Sequence, residues 1–488
     1  MRCQRAIWAL GTVITLTVAA PPISASARPP GLPPPPSVAA LPEASPAPPS
    51  PELVALLDRV QDLPATRPDG DVGVAAADAS GQRLTASSAD RPLLPASAIK
   101  LITAAAALRL LGPDFRFVTR VYATAPLDRD GVVDGDLVIL GGGDPVLATE
   151  RFVTDVNAAR PATPLATLAQ RVTRSGVRRV TGRVIGDPAV LADEQVADGW
   201  NRDYLASLDA TRTSGLTVDA GLRLFERSGR LHAQAAKDPA GRTAAELHRV
   251  LTDLGVRIGH PPLARRGEQR RTVELARVVS PPLRTLLTSM LHTSDNHLAD
   301  GIFRMLGATI GDATWAGSER AAHLTLSDAD LDWKGVRLAD GSGLSRRNRV
   351  SAAALVEILR VMAGDRLRRP WLHLQAVAGE SGTMRRRLTD TQAEGRVFAK
   401  TGTLRDVRAL AGTVPGDDGD DLHFAVLAND LSDYGDIAAA RRLGDMVALA
   451  LVVMQDGCRG PISPPDPEER RPPEALLCGP AATTQAKE

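Results

Sequence analysis

Three short motifs constrain this chain more than anything else in it: Ser97-Ala98-Ile99-Lys100, Ser294-Asp295-Asn296 and Lys400-Thr401-Gly402-Thr403, in that order. Nearly two hundred residues lie between the first and the second. If the three act together, one body is built from distant stretches of chain and the intervening segment is looped out of it. The choice of lysine points the same way. Of the 58 basic residues only five are lysines, and two of those five stand in the first and third motifs. An ammonium loses its proton when it is buried among other charges, whereas a guanidinium does not. A chain that otherwise uses arginine has kept lysine where a proton can be moved.

Ser97 and Lys100 are three apart, so on a helix they share a face and the amine reaches the hydroxyl. The spacing predicts a helix over 97–111, apolar nearly all round and therefore buried, with Pro95 ahead of it and Gly112-Pro113 ending it. Burial lowers the pKa of Lys100, which makes it a candidate general base for a Ser97 nucleophile, and the helix N-terminus favours a developing oxyanion. In the second motif Ser294 can relay a proton and the Asn296 amide can donate to a substrate carbonyl; both residue types are also favoured helix caps. The third motif reads as a strand on which Gly402 lets a substrate backbone lie alongside. Lys400 and the hydroxyls of Thr401 and Thr403 are candidates for holding a carboxylate, with the Thr403 amide completing an oxyanion hole begun by that of Ser97. His292 and His297 flank the second motif without metal-ligand spacing, and no GxSxG elbow precedes a histidine triad. No metal or cofactor is assigned.

The length of 488 residues implies two to three domains, by an average of roughly 150 residues each. A net charge of +1 gives no support for a nucleic-acid partner, and 3% aromatics leave little for stacking platforms. Arg2, Arg5, the apolar run 6–20 and Ala25-Ser26-Ala27 read as an export signal at 1–27, its apolar run being shorter than the roughly 20 residues that span a bilayer. A Pro-rich linker follows at 28–51, then a helical pattern at 52–63. Strands are expected at 72–76 and 83–87, and again at 396–403, 407–414 and 422–427, with helices at 282–291, 296–306, 351–362 and 436–454. Helices on an antiparallel sheet make the class α+β. The catalytic domain is expected from 52–114 and 271–457, interrupted by a strand-rich insert at 115–270, with a Pro-rich tail at 458–488. Cys458 and Cys478 in that tail are candidates for one disulfide in an oxidising compartment.

The motif order belongs to penicillin-binding proteins and serine β-lactamases, and the rest of the sequence narrows the resemblance. Gly142-Gly143-Asp144-Pro145, Thr213-Ser214-Gly215-Leu216, Asp340-Gly341-Ser342-Gly343-Leu344-Ser345-Arg346 and Ser381-Gly382-Thr383-Met384 make the chain resemble the class C low-molecular-mass penicillin-binding proteins, the D-alanyl-D-alanine carboxypeptidase/endopeptidases. The resemblance implies a transpeptidase-like domain and a Ser97 acylated by peptidoglycan stem peptides ending in D-Ala-D-Ala. It also implies covalent inhibition by β-lactams and a location in the bacterial cell envelope. By the same likeness Asp144, Ser342 and Arg346 bind the free end of a diaminopimelate side chain. A serine β-lactamase or esterase on the same fold is one alternative, against which the long gap between the first two motifs argues. An exported wall-binding protein without activity is another.

Overall fold

The computed structural model describes Gln61 and residues 67–267, 271–329, 331 and 333–456. The expected export signal, the Pro-rich linker, nearly all of the 52–63 helix and the tail with Cys458 and Cys478 lie outside the described residues. In chain order the main elements begin with strands β1 (Asp71–Ala77) and β2 (Arg83–Ser87) and helix α1 (Lys100–Leu111). Next come β3 (Val118–Ala123), β4 (Leu137–Leu140), α2 (Leu165–Arg174), β5 (Val184–Asp187), α3 (Pro239–Asp253), β6 (Leu263–Ala264) and β7 (Val273–Val279). Helices α4 (Leu283–Thr293), α5 (Asn296–Thr309) and α6 (Ala352–Ala363) follow. The last elements are β8 (Ala376–Val377), β9 (Phe398–Leu404), β10 (Val407–Val414), β11 (Leu422–Asn429) and α7 (Tyr434–Asp456). The class is α+β, as the sequence implies.

The first sheet is antiparallel, in the order β8-β9-β10-β11-β1-β2, so the two ends of the described chain meet where β1 pairs with β11. Because side chains alternate along a strand, both faces of this sheet are buried against different partners. Val74 and Ala76 of β1 face α7, while Ala75 and Ala77 join α1, α4, α5 and α6 on the opposite side. Helix α1 lies within that second core, with Ala104 to Ala107 fully buried. A run of alanines makes a narrow helix that neighbours can approach from all sides, which is why it shows almost no amphipathic stripe.

The second sheet, β6-β5-β4-β3-β7, is mixed, with parallel pairs β4–β5 and β5–β6 and antiparallel pairs β3–β4 and β3–β7. Apolar faces of α2 (Leu165, Leu168, Val172) and α3 (Ala244, Leu247, Leu251) close its core. One expected boundary shifts. The catalytic part was placed from residue 271 onward, yet β7 pairs along β3 as far as Val279↔Val118, so the second sheet continues to Val279. Alternating apolar residues announce a strand but not its neighbour. The chain leaves and rejoins the first core at one place: Ser280 N donates to Phe117 O at 2.9 Å, and Phe117 N to Ser280 Oγ at 3.0 Å. No helix of the described residues is long and apolar enough to cross a membrane.

Candidate active site

Ser97 sits in a single 3-10 turn, Ala96–Ile99, and α1 begins only at Lys100. In such a turn residues three apart stand one above the other, which brings Lys100 Nζ to 2.9 Å from Ser97 Oγ. Ala96, just before the serine, has φ +44°, a left-handed conformation that costs a non-glycine residue about 1 kcal/mol or more. Ser294 in the second motif is also left-handed, at φ +58°.

Lys100 is fully buried, and its amine also meets Asn296 Oδ1 at 2.8 Å and the Ser342 carbonyl in a short contact. Those two oxygens only accept hydrogen bonds. A neutral amine therefore spends both of its hydrogens on them and turns its lone pair toward the Ser97 hydroxyl. Burial pulls the Lys100 pKa down to about 8, and the acidic residues nearby, Asp340 and Asp295 among them, pull the other way.

Asn296 is the first residue of α5, whose N-cap is Asp295, accepting from Leu298 N at 2.9 Å. Of the three motif residues it is thus Asp295 that caps. The Asn296 Nδ2 donates to Asp209 O at 2.8 Å, which fixes the amide orientation and leaves its second hydrogen for a substrate carbonyl. Asp295 also pairs with Arg160. Ser294 is half-buried between α4 and α5. Neither flanking histidine takes part. His292 Nε2 donates to Gln375 O at 3.0 Å, and buried His297 bonds Thr211 Oγ1 at 2.7 Å, its pKa lowered by burial to about 4.

The 340–348 loop carries information that the motifs did not. Asp340 is buried and accepts from Gly343 N (2.8 Å), Ser345 N (2.7 Å), Asn348 Nδ2 (2.7 Å), Trp200 Nε1 (2.8 Å) and Ser342 Oγ (3.2 Å). This holds the loop so that the Ser342 carbonyl points at Lys100. The resemblance implies that Ser342 binds substrate, but its buried hydroxyl turns to Asp340 and the residue reaches Lys100 through its main chain. Asp300, one turn beyond Asn296 on α5, accepts from Gly341 N at 3.0 Å. Asp340 opens the 340–346 stretch quoted for the resemblance, but neither Asp300 nor Asp209 belongs to any motif, and a backbone carbonyl has no sequence signature at all.

Strand β9 runs beside the Ser97 turn. A Cβ on Gly402 would lie 2.6 Å from Pro95 O and 3.2 Å from Ala96 Cβ. The glycine is thus required by contact with the protein's own Ser97 turn, where the sequence predicts a substrate backbone. Lys400 is fully buried beside Lys100, and both its burial and that neighbouring charge hold its pKa well below the ordinary lysine value. Its Nζ donates to Thr401 O at 2.8 Å. Thr401 is half-buried and Thr403 exposed. Strand β8 pairs with β9 only at Phe398 and Ala399, so from Lys400 onward the outer edge of β9 has no partner strand among the described residues.

The remaining two expected residues make no hydrogen bond to Ser97, Lys100 or Asn296 among the described residues. Asp144 is buried, its Oδ1 accepting from Val146 N at 2.9 Å and its Oδ2 without a partner, and burial raises its pKa to about 6. Arg346 grips Asp406, in the turn between β9 and β10, through both guanidinium nitrogens at 2.7 and 2.8 Å.

Comparison with known proteins places this arrangement. The sequence matches the D-Ala-D-Ala carboxypeptidase 3 (S13) family over residues 54–229 and 226–450. It is 31% identical over 456 residues to the D-alanyl-D-alanine carboxypeptidase of Actinomadura sp. (strain R39), spanning 78% of this chain and 81% of that one. Carboxypeptidase DacB of Mycolicibacterium smegmatis is 32% identical over 389 residues, spanning 78% of this chain and 79% of its own. In fold, the crystal structure of penicillin binding protein 4 (dacB) from Haemophilus influenzae superposes with a TM-score of 0.68 at 22% identity, covering 81% of this chain and 99% of that one. Ordered motifs, sheet and family match run through the same residues, and this chain belongs to the D-Ala-D-Ala carboxypeptidase 3 (S13) family of peptidases.

Proposed function

We propose that the protein is a serine-type D-Ala-D-Ala carboxypeptidase acting on peptidoglycan stem peptides. The observation that carries this is the amine of Lys100, held by two obligate acceptors with its third direction 2.9 Å from Ser97 Oγ. Neutral Lys100 takes the Ser97 proton as Oγ attacks the carbonyl of the penultimate D-Ala. The tetrahedral oxyanion forms beside the Ser97 and Thr403 amides. On its collapse the C–N bond breaks and Lys100 returns the proton through Ser294 to the leaving amine, releasing D-Ala. Water then attacks the acyl ester, Lys100 again acting as base, and Ser97 is restored.

The peptide lies as an added strand along the unpaired edge of β9. Lys400, Thr401 and Thr403 hold the terminal carboxylate, and Asn296 donates its remaining hydrogen to the peptide. Asp144, with an unpartnered oxygen, suits an ammonium, and Arg346 suits a carboxylate. We assign catalysis to a body formed, among the described residues, by 67–116 and 280–456 and access to the segment between. Export to the cell envelope follows from where such peptides are found, and β-lactams acylate the same serine.

Intact-mass spectrometry after benzylpenicillin, on the parent and on Ser97→Ala, tests the assignment, together with D-Ala release from a diaminopimelate-containing pentapeptide. The expected result is a one-equivalent adduct on the parent alone and D-Ala release by the parent alone. A parent that forms no adduct, or an adduct that persists in Ser97→Ala, overturns the role of Ser97; an adduct without D-Ala release turns the reading toward an endopeptidase.

A further inference from the structure

Two buried carboxyls, Asp300 and Asp340, hold the loop whose Ser342 carbonyl meets Lys100 and have no step in the reaction above. Both are almost fully enclosed, and neither has an ion-pair partner within 4.0 Å among the described residues. They share the Gly341-Ser342 segment but not its hydrogens. Asp340 collects five donors, whereas Asp300 collects one, from Gly341 N.

The Ser342 hydroxyl decides between them. It has one hydrogen, which goes to Asp340 Oδ2 at 3.2 Å, leaving Asp300 with the Gly341 N–H alone. Burial and the neighbouring Asp340 both work against a charge on Asp300, and its single donor does little to offset them. The charged groups facing Asp300 are Asp340 from the loop, Lys100 from α1 and Arg304 from its own helix.

We propose that Asp300 is a neutral carboxylic acid that positions the general base. The idea rests on the acyl-serine reading above and deepens it. The Gly341 peptide is clamped on both sides: Asp300 takes its N–H, and Thr103, three residues beyond Lys100 on α1, donates to its carbonyl at 2.9 Å. The next carbonyl, that of Ser342, is the one that fixes a hydrogen of Lys100. Helix α5 therefore sets both acceptors of the amine, directly through Asn296 and indirectly through Asp300. A neutral Asp300 does this without giving Lys100 a second buried counter-charge, which would stabilise its ammonium and disarm the base.

Infrared spectroscopy of the intact protein at pH 8 tests the protonation, and the pH dependence of benzylpenicillin acylation tests the role. A protonated-carboxyl band is expected in the parent and absent in Asp300→Asn. Asparagine copies the neutral acid, accepting from Gly341 N without a charge, so Asp300→Asn keeps the acidic limb of the acylation profile in place and a rate within about threefold of the parent. Asp300→Ala frees the clamp and slows acylation by about tenfold or more. A missing band in the parent, or an acidic limb displaced downward by about one pH unit in Asp300→Asn, means that Asp300 is ionised and overturns the proposal. Should Asp300→Asn not fold, Asp300→Glu serves to assign the band by moving its frequency. The band is read whether or not the protein takes penicillin, so failure of the acyl-serine reading would be seen separately.

Discussion

Lys100 carries the most consequential shift in the molecule. Its pKa is brought down to about 8, chiefly because the ammonium is buried, and the base must be neutral to accept the Ser97 proton. Below that value the reactive fraction falls about tenfold per pH unit, because each unit protonates that much more of the amine. The second-order rate of benzylpenicillin acylation is therefore expected to climb with pH and level off above about 8. Stopped-flow or quench measurements between pH 5 and 10 check this; a rate that stays flat through the window would show that Lys100 is not the base. Lys100→Arg keeps the charge but cannot surrender the proton, and is expected to lose about a hundredfold or more of the rate. Lys400, whose pKa burial also lowers, stands beside Lys100, so the two amines disfavour each other's charged forms.

Strand β9 and the Ser97 turn meet without room for a methyl group, since a Cβ on Gly402 would sit 2.6 Å from Pro95 O. Gly402→Ala is expected to push the strand away from the turn, slow acylation by about tenfold or more and cost about 1–3 kcal/mol of stability. Acylation kinetics and urea unfolding on the same variant check this, and an unaffected acylation rate would show the contact to be slack. The elements around the motifs were legible because their signals are local: apolar runs, Gly-Pro stops and alternating strands at 398–404, 407–414 and 422–429. What escaped reading lies between elements. The Ser342 carbonyl is backbone, Asp300 looks like any other aspartate, Asp340 is marked only as part of the 340–346 stretch, and nothing local marks the partner that β7 takes in the second sheet. The motif residues named the chemistry, while the parts that aim Lys100 are set by tertiary contacts.

The intervening segment is not an appendage, because it reaches back into the site through Asp209 O on Asn296 and Trp200 Nε1 on Asp340. The first sheet closes only when β11 pairs with both β1 and β10, joining Asp71 to Asn429. A chain ending at residue 421 keeps all three motifs yet lacks β11, and it is expected to take no penicillin label and to be recovered largely insoluble. Labelling and sedimentation of that truncation check this, and a soluble, labelled product would show that the site forms without the closed sheet. Topology of this kind also sets an order of events. Lys100 lies 196 residues before Asn296 and 242 before Ser342, so during synthesis the nucleophile and its base exist long before the oxygens that aim them. In the growing chain Lys100 is an ordinary solvated amine and Ser97 an ordinary alcohol. The hydrolase is born latent and arms itself only when its last strand is in place.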